Sequence, residues 1–130
     1  MATYLLDTCV ALWIFEGSPR ISPDLRDRLT DPSHDLLLSD ASLLEIVIKH
    51  GLGKLPLPRP PSELIPTLAA RHMMDPLPLS AADIWRIEKL SGLHRDPFDR
   101  LLVAQALERG LELVTPDPKI QEYDVPVLWM

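Results

Sequence analysis

A chain of 130 residues suits one compact domain, here residues 1–130, and leaves little room for a second. Its 46% hydrophobic and 25% charged residues are those of an ordinary soluble globular protein. A net charge of −6 weighs against a protein that coats nucleic acid through Lys and Arg. It leaves room for a nuclease whose carboxylates are metal ligands, since two divalent ions would bring the balance to about −2.

Thr3–Leu6 is a short apolar run that stops at Asp7, as a buried parallel strand does. The apolar stretch from Tyr4 to Phe15 has no basic leader and is interrupted by Asp7, so it reads as core, neither signal peptide nor membrane span. A helix is expected from Thr8 to about Glu16, closed by Gly17-Ser18-Pro19, and a short amphipathic one opens at Ser22-Pro23-Asp24. Leu36–Leu38 is a second strand, followed by a helix over Ala41–His50 that Gly51 and Gly53 end. The proline-rich Leu55–Pro61 is an extended surface segment before a helix at Ser62–His72. Pro76-Leu77-Pro78 reads as a break, and Ser80 with Asp83 as a capping box for a helix reaching Ser91. Asp96-Pro97 starts the strongest helix, which runs to Arg109 and is capped by Gly110. Leu111–Thr115 and Val125–Leu128 are the last strands. Strands alternating with helices imply an α/β domain, its parallel sheet covered on both faces. Cys9 is the only cysteine, which fits a reducing cytoplasm. Trp13, Trp85 and Trp129 are expected in the core.

In such a sheet, ligands bind beyond the carboxyl ends of the strands. Asp7 follows the first strand, Asp117 the strand Leu111–Thr115, and Asp96 and Asp99 sit at the start of the helix from Pro97. Glu45 interrupts the apolar run Leu43–Ile48. Each has an ordinary alternative. Asp96 suits an N-cap, Asp99 gains from the helix dipole, Glu45 pairs with Lys49 one turn on, and Asp117 is a turn residue. Asp7 has no such duty. Carboxylates converging at about 5 Å would repel by roughly 3 kcal/mol per pair at an effective dielectric near 20, and so call for a cation or raised proton affinity. All-oxygen ligation selects Mg²⁺ or Mn²⁺, because Cys9 and the scattered histidines form no zinc pattern.

The chain resembles the PIN-domain family, and within it the VapC-like toxin ribonucleases. The resemblance rests on Leu5-Leu6-Asp7-Thr8, Ser42–Ile46 with Lys49 and Gly53-Lys54-Leu55, His94–Arg100 with Ala104-Gln105-Ala106, Leu113–Asp117, and the ending with Tyr123 and Leu128-Trp129. It implies a three-layer α/β/α sandwich and Mg²⁺- or Mn²⁺-dependent endonucleolytic hydrolysis of RNA in the cytoplasm. It carries the four acidic positions onto Asp7, Glu45, Asp99 and Asp117, with Asp96 the ambiguous fifth. Asp7 and Asp99 would hold the first ion, Glu45 would ligate it or orient water, and Asp117 would act through water or a second ion. Pro116 and Pro118 around Asp117 depart from the pattern. Arg95 and Arg100 either hold the scissile phosphate or pair with the neighbouring acids. The resemblance further implies a homodimer and a small antitoxin, whose basic or amphipathic segment covers the acidic groove and whose DNA-binding end supplies the only DNA contact.

Two rival readings remain. One is a PIN-like interaction domain without activity. The other is a phosphohydrolase using Asp7 as nucleophile, as in the haloacid dehalogenase family, whose general acid would stand where this chain has Cys9.

Overall fold

Apolar runs too short for helices become the strands of a single sheet. The computed structural model describes residues 2–90, 92 and 96–130. Its strands are β1 (Thr3–Leu6), β2 (Asp35–Ser39), β3 (Met74–Leu77), β4 (Glu112–Val114) and β5 (Val127–Leu128). They lie in the order β3-β2-β1-β4-β5, every neighbouring pair parallel. β1 is therefore central, and Leu5 and Leu6 are fully buried.

The helices are α1 (Thr8–Glu16), α2 (Pro23–Thr30), α3 (Asp40–Gly51), α4 (Pro61–Arg71), α5 (Ala81–Arg86), α6 (Pro97–Arg109) and α7 (Pro118–Gln121), with one 3₁₀ turn at Ile87–Lys89. Alternation along the strands splits the core in two. Tyr4, Leu6, Leu36 and Leu38 pack with Val10, Leu25, Leu29 and Ile65 of α1, α2 and α4. Leu5 and Leu113 pack with Leu102, Val103 and Ala106 of α6 and Ile120 of α7. Helix α3 spans both clusters, with Ala41 in one and Ile46 in the other. The expected α/β/α sandwich is the observed one. No helix among the described residues is long and apolar enough to cross a membrane.

Local chemistry sets the boundaries. The Ser22 hydroxyl accepts from the Leu25 N–H at 3.1 Å, and Gly17 and Gly110 close α1 and α6 in the left-handed region at φ 64° and 65°. Ser80 and Asp83 form the expected capping box.

Four expectations are corrected. Pro76 lies inside β3 where a break was expected; β3 is an edge strand, and a proline there breaks no ladder if its nitrogen faces outward. The helix expected over Ser80–Ser91 is α5 followed by the 3₁₀ turn. Helix α7 was not foreseen. Trp13 and Trp129 do pack together, ring centroids 6.1 Å apart, but Trp85 is 64% exposed.

A buried polar network ties α5 and α6 to the sheet. The Ser39 hydroxyl donates to Gln105 Oε1, and Gln105 Nε2 donates to Asp83 Oδ2 at 3.3 Å. Arg109 Nη2 donates to the same Asp83 oxygen at 3.0 Å. Asp83 and Gln105 are fully buried. Burial alone would raise the Asp83 pKa, but Arg109, the Ser80 N–H, Gln105 and the Ser80 hydroxyl together hold it below the ordinary carboxylate value.

Candidate active site

Beyond the carboxyl ends of β1 and β4 lies a cleft of about 370 Å³ lined by Asp7, Glu45, Asp96, Asp99 and Asp117, with Thr8, Cys9, Lys49, Lys54 and three apolar residues. The structure thus brings together all five acids expected from the sequence. They are less tightly gathered than expected: no group of three or more His, Cys, Asp or Glu among the described residues is placed to hold a metal ion as it stands.

Asp7 occupies the N-cap position of α1, yet its side chain makes no capping bond. The carboxylate is spent elsewhere. Asp7 Oδ2 accepts from the Thr115 hydroxyl at 2.7 Å, and Thr115 Oγ1 accepts from the Asp117 N–H at 3.1 Å. The ends of β1 and β4 are thereby joined through side chains. Asp7 is only 6% exposed. Burial raises its pKa, the Thr115 bond partly offsets this, and the charge of Glu45 adds to the rise.

Glu45 is 5% exposed, and it pairs with Lys49 one turn on. Lys49 Nζ donates to Glu45 Oε2, while the buried Oε1 has no hydrogen-bond partner among the described residues. Asp96 is an N-cap, its Oδ1 accepting from the Phe98 and Asp99 N–H groups at 2.9 and 3.2 Å. It nonetheless lines the cleft beside Asp99, in the first turn of α6. Asp117 caps α7 through the Lys119 N–H at 2.9 Å, and Pro118 is the favoured first residue of that helix, not a stiffened loop.

Arg100 is not among the described residues lining the cleft; it donates to the Tyr123 hydroxyl at 3.3 Å and the Ile87 carbonyl at 3.4 Å. His94 and Arg95 lie outside the described residues. Two features went unseen in the sequence. Cys9 lines the cleft, and the buried Thr8 and Ser42 hydroxyls are bonded at 2.8 Å, joining α1 to α3. Polar residues at core positions of both helices were the available signal.

The donor set suits a hard divalent cation. Every acidic ligand candidate is a carboxylate, one buried oxygen of Glu45 is orphaned, and burial beside Asp7 pushes the Cys9 thiol up to about 12, away from thiolate ligation. That thiol also makes a poor general acid, which disfavours the phosphohydrolase reading.

A stability prediction follows from Asp7. Its folded-state pKa is raised, so stability is lost as pH climbs from the ordinary carboxyl range through the raised value. Asp7→Asn is expected to melt higher than wild type without metal at neutral pH, with the gap closing as pH falls into the ordinary carboxyl range. A variant melting at or below wild type at neutral pH contradicts a strained carboxylate.

Residues 4–126 match the model of the PIN domain, and the chain belongs to the PIN domain family. Its structural neighbours include VapBC2 from Rickettsia felis bound to a DNA fragment from their promoter, at TM-score 0.73 and 16% identity over 97% of both chains. DNA-bound VapBC from Salmonella typhimurium gives 0.71 and 19% over 98% of both, and VapBC-1 from nontypeable Haemophilus influenzae gives 0.66 and 17% over 97% of this chain and 96% of that one. No curated protein matches the chain in sequence.

Proposed function

We propose that the chain is a divalent-metal-dependent endoribonuclease, the toxin of a toxin–antitoxin pair, acting as a homodimer in the cytoplasm. The observation that carries this reading is the pair of buried carboxylates, Asp7 and Glu45, facing one cleft with three further acids, against two lysines among the described lining residues. Mg²⁺ or Mn²⁺ is the expected ion. When bound, such an ion acidifies water and offsets negative charge building on a phosphate during in-line attack.

The chain's own residues divide the remaining work. Asp7 and Asp99 would hold the ion, with Thr115 fixing the Asp7 carboxylate through Oδ2. Glu45 Oε1 is available to hold the ion or accept a proton from a water, and Lys49 keeps the other oxygen oriented. Asp117 would act through water or a second ion, and Asp96 chiefly presents the start of α6.

The partner reading rests on the VapBC neighbours and on charge. An acidic cleft attracts a basic segment, and an Arg placed among these carboxylates would compete with the ion. A small antitoxin whose basic or amphipathic segment covers the cleft fits both, with DNA contacted only through it. The homodimer is supported by α3, which exposes Leu44, Val47 and Ile48 at helical spacing with Leu52 beyond.

One experiment tests the whole. Purified without a partner, the chain should sediment as a dimer, cleave single-stranded RNA with millimolar Mg²⁺ or Mn²⁺, and lose cleavage in excess EDTA. Co-expression with the neighbouring reading frame should yield a complex without that activity. An inert, partner-free chain, or full cleavage in EDTA, overturns the reading.

A further inference from the structure

The cleft holds five carboxylates and only two cations among the described residues, Lys49 and Lys54. A nucleic-acid strand brings more negative charge, so the placement of these lysines decides how it enters. Lys49 is committed to Glu45. No ion pair or side-chain hydrogen bond of Lys54 is found among the described residues. Lys54 is nevertheless placed by a specific turn. Gly53 takes φ 73°, the Lys54 N–H bonds the Lys49 carbonyl at 2.9 Å, and the His50 ring bonds the Leu55 carbonyl at 3.0 Å. These contacts fold the chain back after α3, so that Lys54 and Leu55 line the same cleft as Glu45.

The acid is buried and both lysines are exposed. The Glu45 side chain is 7% exposed, the Lys49 side chain 45%, and Lys54 is exposed. The acids form the floor and Lys54 stands at the rim. We propose that Lys54 seats a backbone phosphate of the RNA strand at the mouth of the cleft, a neighbour of the phosphate cleaved on the floor. This rests on reading the cleft as an RNA-cleaving site. Lys54 is a positioning residue. Its ammonium supplies a point charge for a phosphate oxygen, reads no base, and takes no part in bond breaking.

The test compares steady-state cleavage of a single-stranded RNA oligonucleotide by wild type, Lys54→Gln, Lys54→Arg and Lys89→Gln across a salt series with Mg²⁺. Lys89 is exposed, does not line the cleft, and matches the change in net charge. One phosphate contact on a single strand contributes about 0.7 to the logarithmic salt slope, or roughly fourfold in affinity at ~0.15 M salt. Lys54→Gln should therefore raise KM about fourfold and flatten the salt dependence of kcat/KM by about 0.7, leaving kcat nearly unchanged. Lys54→Arg should restore both, and Lys89→Gln should behave as wild type. All four should gain equally in melting temperature from Mg²⁺. A Lys54→Gln enzyme equal to an active wild type overturns the inference, as does one equal to an impaired Lys89→Gln or one that has lost its response to Mg²⁺. A wild type that cleaves no RNA overturns the nuclease reading itself, and the inference with it.

Discussion

Asp99→Asn should lower RNA cleavage by at least ~100-fold, whereas Asp96→Asn should stay within a few-fold of wild type. The two acids are three residues apart at the start of α6 and both line the cleft, so proximity does not separate them. The capping duty of Asp96 does. Asp96 spends Oδ1 on the Phe98 and Asp99 N–H groups, a duty that an Asn side-chain oxygen performs almost as well. Asp99 is read as a direct ion ligand, and Asn keeps its shape while removing the charge that an Mg²⁺ site requires. Initial rates at saturating Mg²⁺, with circular dichroism confirming the fold, make the comparison. Equal losses in both variants would place Asp96 in the ion site beside Asp99.

Arg109→Met should destabilise the domain by about 2–3 kcal/mol, or roughly 10 °C in Tm for a chain of this size. The substitution keeps much of the packing stem and removes the cation that Asp83 faces. Asp83 is fully buried, so among the described residues its charge would be left with the Ser80 N–H and the Gln105 amide. The estimate sits below the range for fully buried pairs because the Arg109 side chain is 36% exposed and water screens part of the interaction. The sign with pH is defined. A carboxyl whose folded-state pKa is lowered stabilises the fold above the ordinary carboxyl value, and that contribution is lost as pH falls through the lowered one. The deficit of Arg109→Met should therefore be largest at neutral pH and shrink on acidification. Adding Asp83→Asn should recover part of it. A deficit independent of pH would mean that Arg109 acts by packing alone.

Much of this was legible because local rules agreed with the global fold. A capped helix from Asp96-Pro97 to Gly110 is written in residues that satisfy its own termini, and Asp7 stood out as an acid ending a buried strand without a capping role. What was not legible depended on neighbours far along the chain. Pro76 forbids a central strand but permits an edge, and only the strand order shows that β3 is an edge. Trp85 sits in an amphipathic stretch whose apolar residues looked like core, yet the face it occupies is open. Asp117 was ambiguous because a turn residue and the cap of a four-residue helix are the same local structure until the helix is seen. Pairing with Lys49 was one of two readings of Glu45, and neither foresaw that burial leaves one carboxylate oxygen without a partner among the described residues. The sequence pattern named the acids; their spacing within the cleft is a tertiary property.

The hydrogen bond between Asp7 and Thr115 spans 108 positions of a 130-residue chain. Central strand β1 is made long before β4, which pairs with it. Contacts this distant in sequence form late in folding, because long loops must close before they are rewarded. A growing chain therefore carries Asp7, Glu45 and Asp99 well before it carries a cleft. Chains truncated before Thr115 lack the hydroxyl that holds the Asp7 carboxylate. The acids are thus encoded locally, but the cleft they line exists only once the central sheet is complete.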